Sequence, residues 1–201
     1  MLDLAEELKA AAAEGMQLPS LCVDPASILA VMVNEVVLEC PEDDFYGNAP
    51  APLYLSTALP LFLRGGLPAS SIRDVTEAGI YITNAVKRPK RESAVPQEMI
   101  EESLPVLERE LSLFPNLRAV MLMGDVAKKA FNMIARSKTG KSAIPAGSTY
   151  KLRRTPFHAM GLRIFPSYIM TGRNLLIEKS KTVMAAEDIR AMLEFIRSQE
   201  R

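Results

Sequence analysis

Cysteine, histidine and net charge are what this sequence has least of. Its 201 residues include two cysteines, one histidine and 24 residues of each charge sign, so the formal net charge at pH 7 is zero. Cys22 and Cys40 form no CxxC pair, and two cysteines cannot build a four-cysteine zinc or iron–sulfur site within one chain. A neutral chain also lacks the overall basic charge of DNA-coating proteins, so any nucleic-acid contact must rest on local patches.

Long apolar segments are missing as well. No run of about 18 apolar residues occurs, which predicts no membrane span. The first residues lack a basic stretch followed by an uninterrupted apolar one, so they do not resemble a signal peptide. Hydrophobic residues make up 48% and charged residues 24%, an ordinary globular composition. We therefore expect one domain over residues 1–201, acting as a monomer in the cytoplasm.

Two common phosphate-binding patterns are incomplete. The segment SKTGKS at 137–142 suggests a phosphate loop, but that motif requires glycine at position 135, where the chain has Ala135. No GxGxxG follows the first predicted strand, which argues against a dinucleotide-binding turn. The single histidine, His158, lies in a polar loop and is interpreted as a solvated side chain.

Four short apolar runs are present, separated by segments with helical periodicity. They cover residues 28–33, 80–83, 119–123 and 162–165. Continuous apolar runs of this length are typical of buried parallel strands. The alternation predicts an α/β fold, a three-layer α/β/α arrangement with a central four-stranded parallel sheet. Ligands bind such sheets beyond the carboxyl ends of the strands, which here carry NEVV, TNAVK, MGDVAKK and FPSY.

These strand-end segments resemble motifs of the uracil-DNA glycosylase superfamily. The similarity spans about residues 28–170 and is greatest to the branch that carries an iron–sulfur cluster. Four segments carry it: NEVVLECPEDDFYG at 34–47, LYLSTALPLF at 53–62, GIYITNAVKRPK at 79–90, and PNLRAVMLMGDVAKKAF with RIFPSYIM at 115–131 and 163–170. The resemblance implies the superfamily's fold and hydrolysis of the N-glycosidic bond of uracil, or of another deaminated base, in DNA.

The resemblance also implies roles for individual residues. Glu35 falls on the motif's carboxylate and is the catalytic candidate, since a carboxylate can stabilise a sugar cation and orient water. Asn84 is the candidate that contacts the base, because an amide both donates and accepts. Tyr54, or alternatively Phe45 or Tyr46, would stack on the flipped base. This hypothesis requires Glu35, Asn84 and Tyr54 to converge on one pocket.

Each of these residues also has an ordinary structural interpretation. A carboxylate can cap a loop or pair with a cation, an asparagine can satisfy turn backbone, and a tyrosine can be a core aromatic. The structure must decide between the two interpretations for each side chain.

DNA contacts are expected from the basic loop and from the last motif. Lys87, Arg88 and Lys90 follow the second strand and could meet phosphates. Three residues of the last motif and its extension complete the predicted DNA surface: Ser167, Ile169 and Arg173. Ile169 occupies the place where the family can insert an apolar wedge. The expected partner is uracil-containing DNA, single- or double-stranded.

Two departures from the family pattern bear on chemistry. Positions where iron–sulfur relatives carry cysteines are Arg88 and Ser103 here, so we expect no cofactor and no metal. The histidine that opens the last motif is replaced by Phe165, which removes a hydrogen-bond donor. Two alternatives stay open: a family member that binds nucleic acid or a nucleobase without cleavage, and a hydrolase for a small nucleoside-like substrate.

Overall fold

The computed structural model describes residues 1–90, 92, 94–172 and 178–198. Its strands are β1 (Leu2–Asp3), β2 (Cys22–Val23), β3 (Ala30–Val36), β4 (Ile80–Val86), β5 (Ala119–Met123), β6 (Phe157–Ala159) and β7 (Leu162–Ser167). Its α-helices are α1 (Leu4–Leu8), α2 (Leu53–Gly65), α3 (Ile72–Glu77), α4 (Gln97–Ser112), α5 (Asp125–Thr139), α6 (Thr149–Leu152) and α7 (Lys179–Ser198). None of the helices in these ranges combines the length and apolar composition needed to cross a bilayer.

The central sheet has the strand order β4-β3-β5-β7-β6. The first four are parallel, and they are the four strands predicted from the apolar runs. The prediction of four strands is wrong by one, because β6 pairs antiparallel with β7 at the edge. This three-residue strand carries no apolar run, and a tight turn with positive φ at Met160 and Gly161 folds it back.

Helices cover both faces of the sheet, as the α/β interpretation requires. On one face α4 and α5 pack against β3 and β4, and their core includes Val31, Val33 and Tyr81. On the other face α2, α3 and α7 pack against alternate residues such as Ala30 and Met32. This alternation follows from the two-residue period of a strand. The three-layer prediction is confirmed.

Two strands run further than their apolar residues indicated. β3 continues through Asn34 and Glu35, and β4 continues through Asn84. These polar residues were predicted to follow the strands, but they pair within the ladder, with Asn34 directly opposite Asn84. Their side-chain directions are therefore set by the sheet, since successive residues of a strand point to opposite faces.

Local signals explain several helix ends. Ser71 and Asp74 form a reciprocal capping box at the start of α3. Gly66 ends α2 in the left-handed conformation, with φ of 96°. The first helix is short, because residues 2–3 pair with β2 and α1 ends at Leu8 before a short 3-10 turn.

Candidate functional site

Glu35 binds the start of a helix. Its Oε1 accepts a hydrogen bond from the backbone N–H of Val126 in the first turn of α5, at 3.1 Å. Gly124 makes room for it, because a Cβ there would lie 2.2 Å from Glu35 Oε1. Burial raises the pKa of Glu35, and the Val126 N–H partly opposes that rise. The carboxylate thus occupies the helix N-terminus, where an anionic ligand would otherwise bind.

The side chain of Asn84 leaves the sheet on the face opposite that of Glu35. Asn34 and Asn84 lie side by side in register, and Asn34 Nδ2 donates to Asn84 Oδ1 at 2.7 Å. Because Glu35 is the next residue after Asn34 on the same strand, its side chain leaves from the opposite face of the sheet. The structure therefore does not bring Glu35 and Asn84 together in one pocket.

A chain of polar side chains connects the last loop to the loop after β3. Thr171 Oγ1 donates to Asn34 Oδ1 at 3.1 Å, and Asn34 donates to Asn84. Asn84 Nδ2 in turn donates to both carboxylate oxygens of Asp44, each at 3.1 Å. We call these four residues, Thr171, Asn34, Asn84 and Asp44, the polar relay. Asn34 is fully buried, and Thr171 and Asn84 are each 5% exposed.

Asp44 is the carboxylate nearest Asn84. Besides the Asn84 amide, it accepts a hydrogen bond from its neighbour, the backbone N–H of Phe45, at 2.7 Å. Burial raises the pKa of Asp44, while these hydrogen bonds and the charge of Lys87 lower it. A carboxylate desolvated in this way is the kind of group that clusters at functional sites.

A cleft of about 290 Å³ opens beside the relay, at the carboxyl end of β4. Asn84 and Asp44 line it together with Phe45 and Tyr46, and Glu42 stands on its exposed rim. Further lining comes from the segment of residues 17–20. Gly47 holds the rim loop tightly, since a Cβ there would lie 2.1 Å from the backbone oxygen of Glu42.

The predicted stacking residues lie under this cleft and are packed together. Phe45 is 1% exposed, and its ring centroid is 5.0 Å from that of Tyr54. The Tyr54 hydroxyl donates to the carbonyl of Val36 at 2.6 Å. Burial is the main reason that the pKa of Tyr54 rises to about 12. Tyr54 does not line the cleft, whereas Phe45 and its neighbour Tyr46 do.

Lys87 is buried, unlike the rest of the predicted basic surface. It is 2% exposed, and its ammonium forms a 2.7 Å ion pair with the fully buried Glu110 of α4. Thr83 and Tyr81 bind the same carboxylate through their hydroxyl groups. The ammonium also donates to Thr83. Its partners are therefore protein atoms, although Lys87 and Thr83 also line the cleft beside the relay.

Arg88 and Lys90 lie on the outer surface. Arg88 keeps 35% of its side chain exposed and pairs with Glu102 at 3.5 Å. The side chain of Lys90 is exposed, and its charge acts on the Glu35 carboxylate. Both residues line a second, open cleft of about 800 Å³ that also includes Glu39. These two are the cations of the predicted loop that solvent reaches.

The last motif divides between core and surface. Phe165 lies inside β7, 6% exposed, with its ring centroid 5.9 Å from that of Phe195. Ser167 is fully buried and donates to Asp188 at 2.7 Å. Ile169 is 37% exposed, so it is an accessible apolar side chain just past the strand. The predicted DNA contact Arg173 lies outside the described residues.

The residues at the family's cluster positions do not fit an iron–sulfur group. Arg88 and Ser103 carry no thiolate, and Ser103 Oγ accepts from the backbone N–H of Lys87 and donates to the carbonyl of Met99. Cluster irons need cysteine thiolates. Within the described ranges, no three His, Cys, Asp or Glu side chains are arranged to hold a metal ion.

Sequence reasoning missed three members of the polar relay: Asn34, Asp44 and Thr171. For Asp44 a signal existed, because the run Glu42-Asp43-Asp44 directly precedes the aromatic pair that lines the cleft. Asn34 could have been found by applying strand alternation one residue past the apolar run. Thr171 has no local signal, since only the return of the chain after β7 brings it to Asn34.

Comparison with known families agrees with the motifs. The sequence model of the Uracil DNA glycosylase superfamily matches residues 45–189, more than two thirds of the chain. The match starts after Glu35 and Asp44 and includes Asn84. A search of curated proteins finds no match to this chain.

Proposed function

This chain belongs to the uracil-DNA glycosylase superfamily, and we propose that it hydrolyses the N-glycosidic bond of uracil or another deaminated base in DNA, acting as a cytoplasmic monomer. The observation that carries the proposal is the cleft beside Asn84. It contains an amide, a desolvated carboxylate and aromatic walls at the carboxyl end of a parallel strand. That is the place where open α/β sheets bind ligands, and the group types are those that hold a flipped base.

The carboxylates of the cleft differ in environment, and this supports different roles. Asp44 is half-buried against Asn84, where the base would sit. Glu42 is exposed on the rim, where the sugar of an inserted nucleotide would lie. We assign Glu42 to stabilising the sugar cation and orienting water, in place of Glu35. Glu35 then has the structural role of capping α5.

The DNA surface in this proposal consists of the exposed residues near the clefts. Arg88 and Lys90 would contact phosphates of a single- or double-stranded substrate, and Ile169 would act as the wedge that replaces the flipped base. Lys87 and Ser167 are left out, because each binds a buried carboxylate of the protein.

A second function is favoured by a specific observation. Glu35, Tyr54 and Asn84 all have hydrogen-bond partners within the protein, at Val126, Val36 and Asn34. Groups held in this way suit a protein that binds a nucleobase or nucleic acid without cleaving it. That function predicts salt-dependent binding with no release of base.

Release of uracil from single- and double-stranded oligonucleotides tests the proposal. We expect release by the wild type, loss of at least tenfold in Asn84→Ala and in Glu42→Gln, and little change in the surface control Glu77→Gln. Glu35→Gln is the critical comparison: a larger loss there than in Glu42→Gln would return the catalytic role to Glu35. No release by the folded wild type would favour the binding function.

A further inference from the structure

Beyond the end of β7, α6 and the first turns of α7 form an exposed surface three strands away from the cleft. We propose that this surface, which includes Tyr150, Lys151, Lys179 and Val183, is a stacking platform for single-stranded DNA. The ring of Tyr150 packs against an unpaired base, and the lysines bind neighbouring phosphates. This role rests on the proposed function for its ligand, DNA, and goes beyond it by naming the strand form and the surface that selects it.

The first turns of α7 project past the end of the sheet. Ser167, the last residue of β7, donates its hydroxyl hydrogen to Asp188 of α7. The helix runs antiparallel to β7, because Phe195 lies later in the helix and contacts Phe165, which lies earlier in the strand. Residues 179–187 therefore extend up to about 13 Å beyond Ser167, at about 1.5 Å per residue. They stand at the carboxyl edge, where open α/β sheets bind ligands.

Arg153 fixes α6 beside these turns. Its buried guanidinium forms ion pairs with Asp188 and Glu187, each at 2.8 Å. It also donates to the carbonyl of Met184 at 2.7 Å. Because Arg153 and Ser167 bind the same Asp188 carboxylate, α6, α7 and the end of β7 form one connected support.

This support exposes apolar side chains to solvent. Tyr150 on α6 is 70% exposed and Val183 on α7 is 52% exposed. Val183 adjoins Met184, to which Arg153 binds, so both exposed side chains lie near the junction of α6 and α7. Of the six large hydrophobic side chains that are exposed in the described ranges, three lie at this end of the fold: Tyr150, Ile169 and Val183. Single exposed apolar residues are ordinary, whereas a group of them marks a contact surface.

Exposed cations accompany the exposed ring. Lys151 directly follows Tyr150, and Lys179 begins α7; both side chains are exposed. The two exposed acids around the start of α7 are already paired: Glu178 with Lys181 and Glu187 with Arg153. Among the described residues, this arrangement leaves an aromatic face beside exposed positive charge.

An aromatic face beside lysines fits single-stranded nucleic acid better than the other possible partners. Bases stack on aromatic side chains while phosphates of the same strand bind the cations. In a duplex the bases are already stacked on one another, so the ring of Tyr150 has no open base to cover. A protein partner would match the apolar residues, but lysine is depleted at protein–protein interfaces.

The position of the platform agrees with a strand that also enters the cleft. The cleft lies at the end of β4, and β7 is three strands away in the sheet. Neighbouring strands lie about 4.8 Å apart, so the two places are separated by about 14 Å along the carboxyl edge. A few nucleotides of extended single strand span that distance.

Binding of uracil-free oligonucleotides tests the platform without requiring hydrolysis. Fluorescence anisotropy measures the affinity of the intact protein for a labelled single strand and for its duplex. We expect the wild type to bind the single strand more tightly. Tyr150→Ala should weaken single-strand binding at least about fivefold, the lower end of base–aromatic stacking, and change duplex binding less than about twofold. Tyr150→Phe keeps the ring and should keep the affinity of the wild type.

Three controls separate stacking from charge and from folding. A strand of abasic sites has phosphates but no bases, so Tyr150→Ala should bind it as the wild type does. Lys151→Gln should reduce the slope of log affinity against log salt for the single strand by about 0.7, the loss of one phosphate contact. Leu63→Ala removes a side chain that is 62% exposed on α2 and should leave all affinities unchanged.

Three results would overturn the platform. They are undiminished single-strand binding in Tyr150→Ala, an equal loss of binding to the abasic strand, and a wild type that does not favour the single strand. Failure of the proposed function gives a different result. Single-strand binding that depends on Tyr150, without release of uracil from oligonucleotides, leaves the platform and removes hydrolysis. Release of uracil, with binding that is indifferent to Tyr150, does the opposite.

Discussion

Thr83 and Asn84 are neighbours on β4, yet they belong to two polar clusters on opposite faces of the sheet. Thr83 joins Lys87, Glu110 and Tyr81, which we call the closed cluster. Asn84 joins the polar relay with Asp44. Both clusters contain a desolvated carboxylate near the carboxyl end of the same strand.

The difference between the clusters lies in how far solvent reaches their carboxylates. The four members of the closed cluster are at most 4% exposed, and the carboxylate of Glu110 receives three side-chain donors. The relay ends instead at the half-buried Asp44, which lines the cleft and accepts from Asn84, Phe45 and Leu38. A fully buried carboxylate with internal partners serves stability, whereas a half-buried one in a cleft is a candidate for ligand contact.

The largest expected effect on stability comes from removing the carboxylate of the closed cluster. Glu110→Ala leaves the ammonium of Lys87 buried without its counter-ion, which typically costs about 3–5 kcal/mol. We expect a loss of that size in the free energy of unfolding measured with urea. The matched control is Glu108→Ala on the same helix, which removes a surface pair with Lys138 and should cost at most about 1 kcal/mol. Equal losses in the two variants would refute the closed cluster's role in stability.

The next effect tests whether the contact between Glu35 and the start of α5 contributes to stability, as the closed cluster does. Gly124→Ala places a methyl group 2.2 Å from Glu35 Oε1, at a φ of 94°. The matched comparison introduces Gly124→Ala into a Glu35→Ala background, where the φ of 94° and ψ of 179° strain the backbone equally but the carboxylate contact is absent. We expect about 1–3 kcal/mol in that background from strain and a larger loss in the wild type, measured by thermal unfolding. Identical losses would mean that the Glu35 contact contributes nothing.

A smaller effect concerns the pH dependence of the relay. Burial raises the pKa of Asp44 in the folded state, so the folded protein holds this proton more tightly than the unfolded chain. Stability attributable to Asp44 is therefore highest below the unfolded pKa and falls as pH rises through the folded pKa, by about 1.4 kcal/mol for each tenfold difference in proton affinity between the two states. Asp44→Asn should flatten the decline in unfolding free energy that sets in above about pH 4, the ordinary pKa of an aspartate. A steeper decline in the variant would contradict a raised pKa for Asp44.

The smallest expected effect on stability lies at the exposed rim. Ile169 is 37% exposed, so Ile169→Ala should change the free energy of unfolding by about 0.5 kcal/mol or less. Under the wedge proposal, it should weaken binding to double-stranded uracil-containing DNA more than to single-stranded DNA, because a single strand has no stack to fill. Fluorescence anisotropy with both substrates measures this, and equal weakening would exclude a wedge.

Residue patterns were sufficient for most of the fold. The run at 119–123 coincides with β5, and the other three apolar runs lie at the predicted parallel strands. Motif order along those strands also indicated the superfamily. Burial of both faces of a parallel sheet leaves a continuous apolar signal, which explains why these elements could be predicted directly. The edge strand β6 left none, because its three residues are exposed or only partly buried, whereas β4 at the other edge is buried throughout.

What the sequence by itself determined, then, was the layered α/β fold, its family and the strand ends where function should lie. Only the tertiary structure decided which side chains meet there. Strand alternation sends Glu35 to α5 and Asn34 to Asn84, burial removes Lys87 from the surface, and the return of the chain brings Thr171 to the relay. The physical reason is that apolar runs are local, whereas hydrogen-bond partners and desolvation depend on residues distant in the chain, 137 positions apart for Thr171 and Asn34.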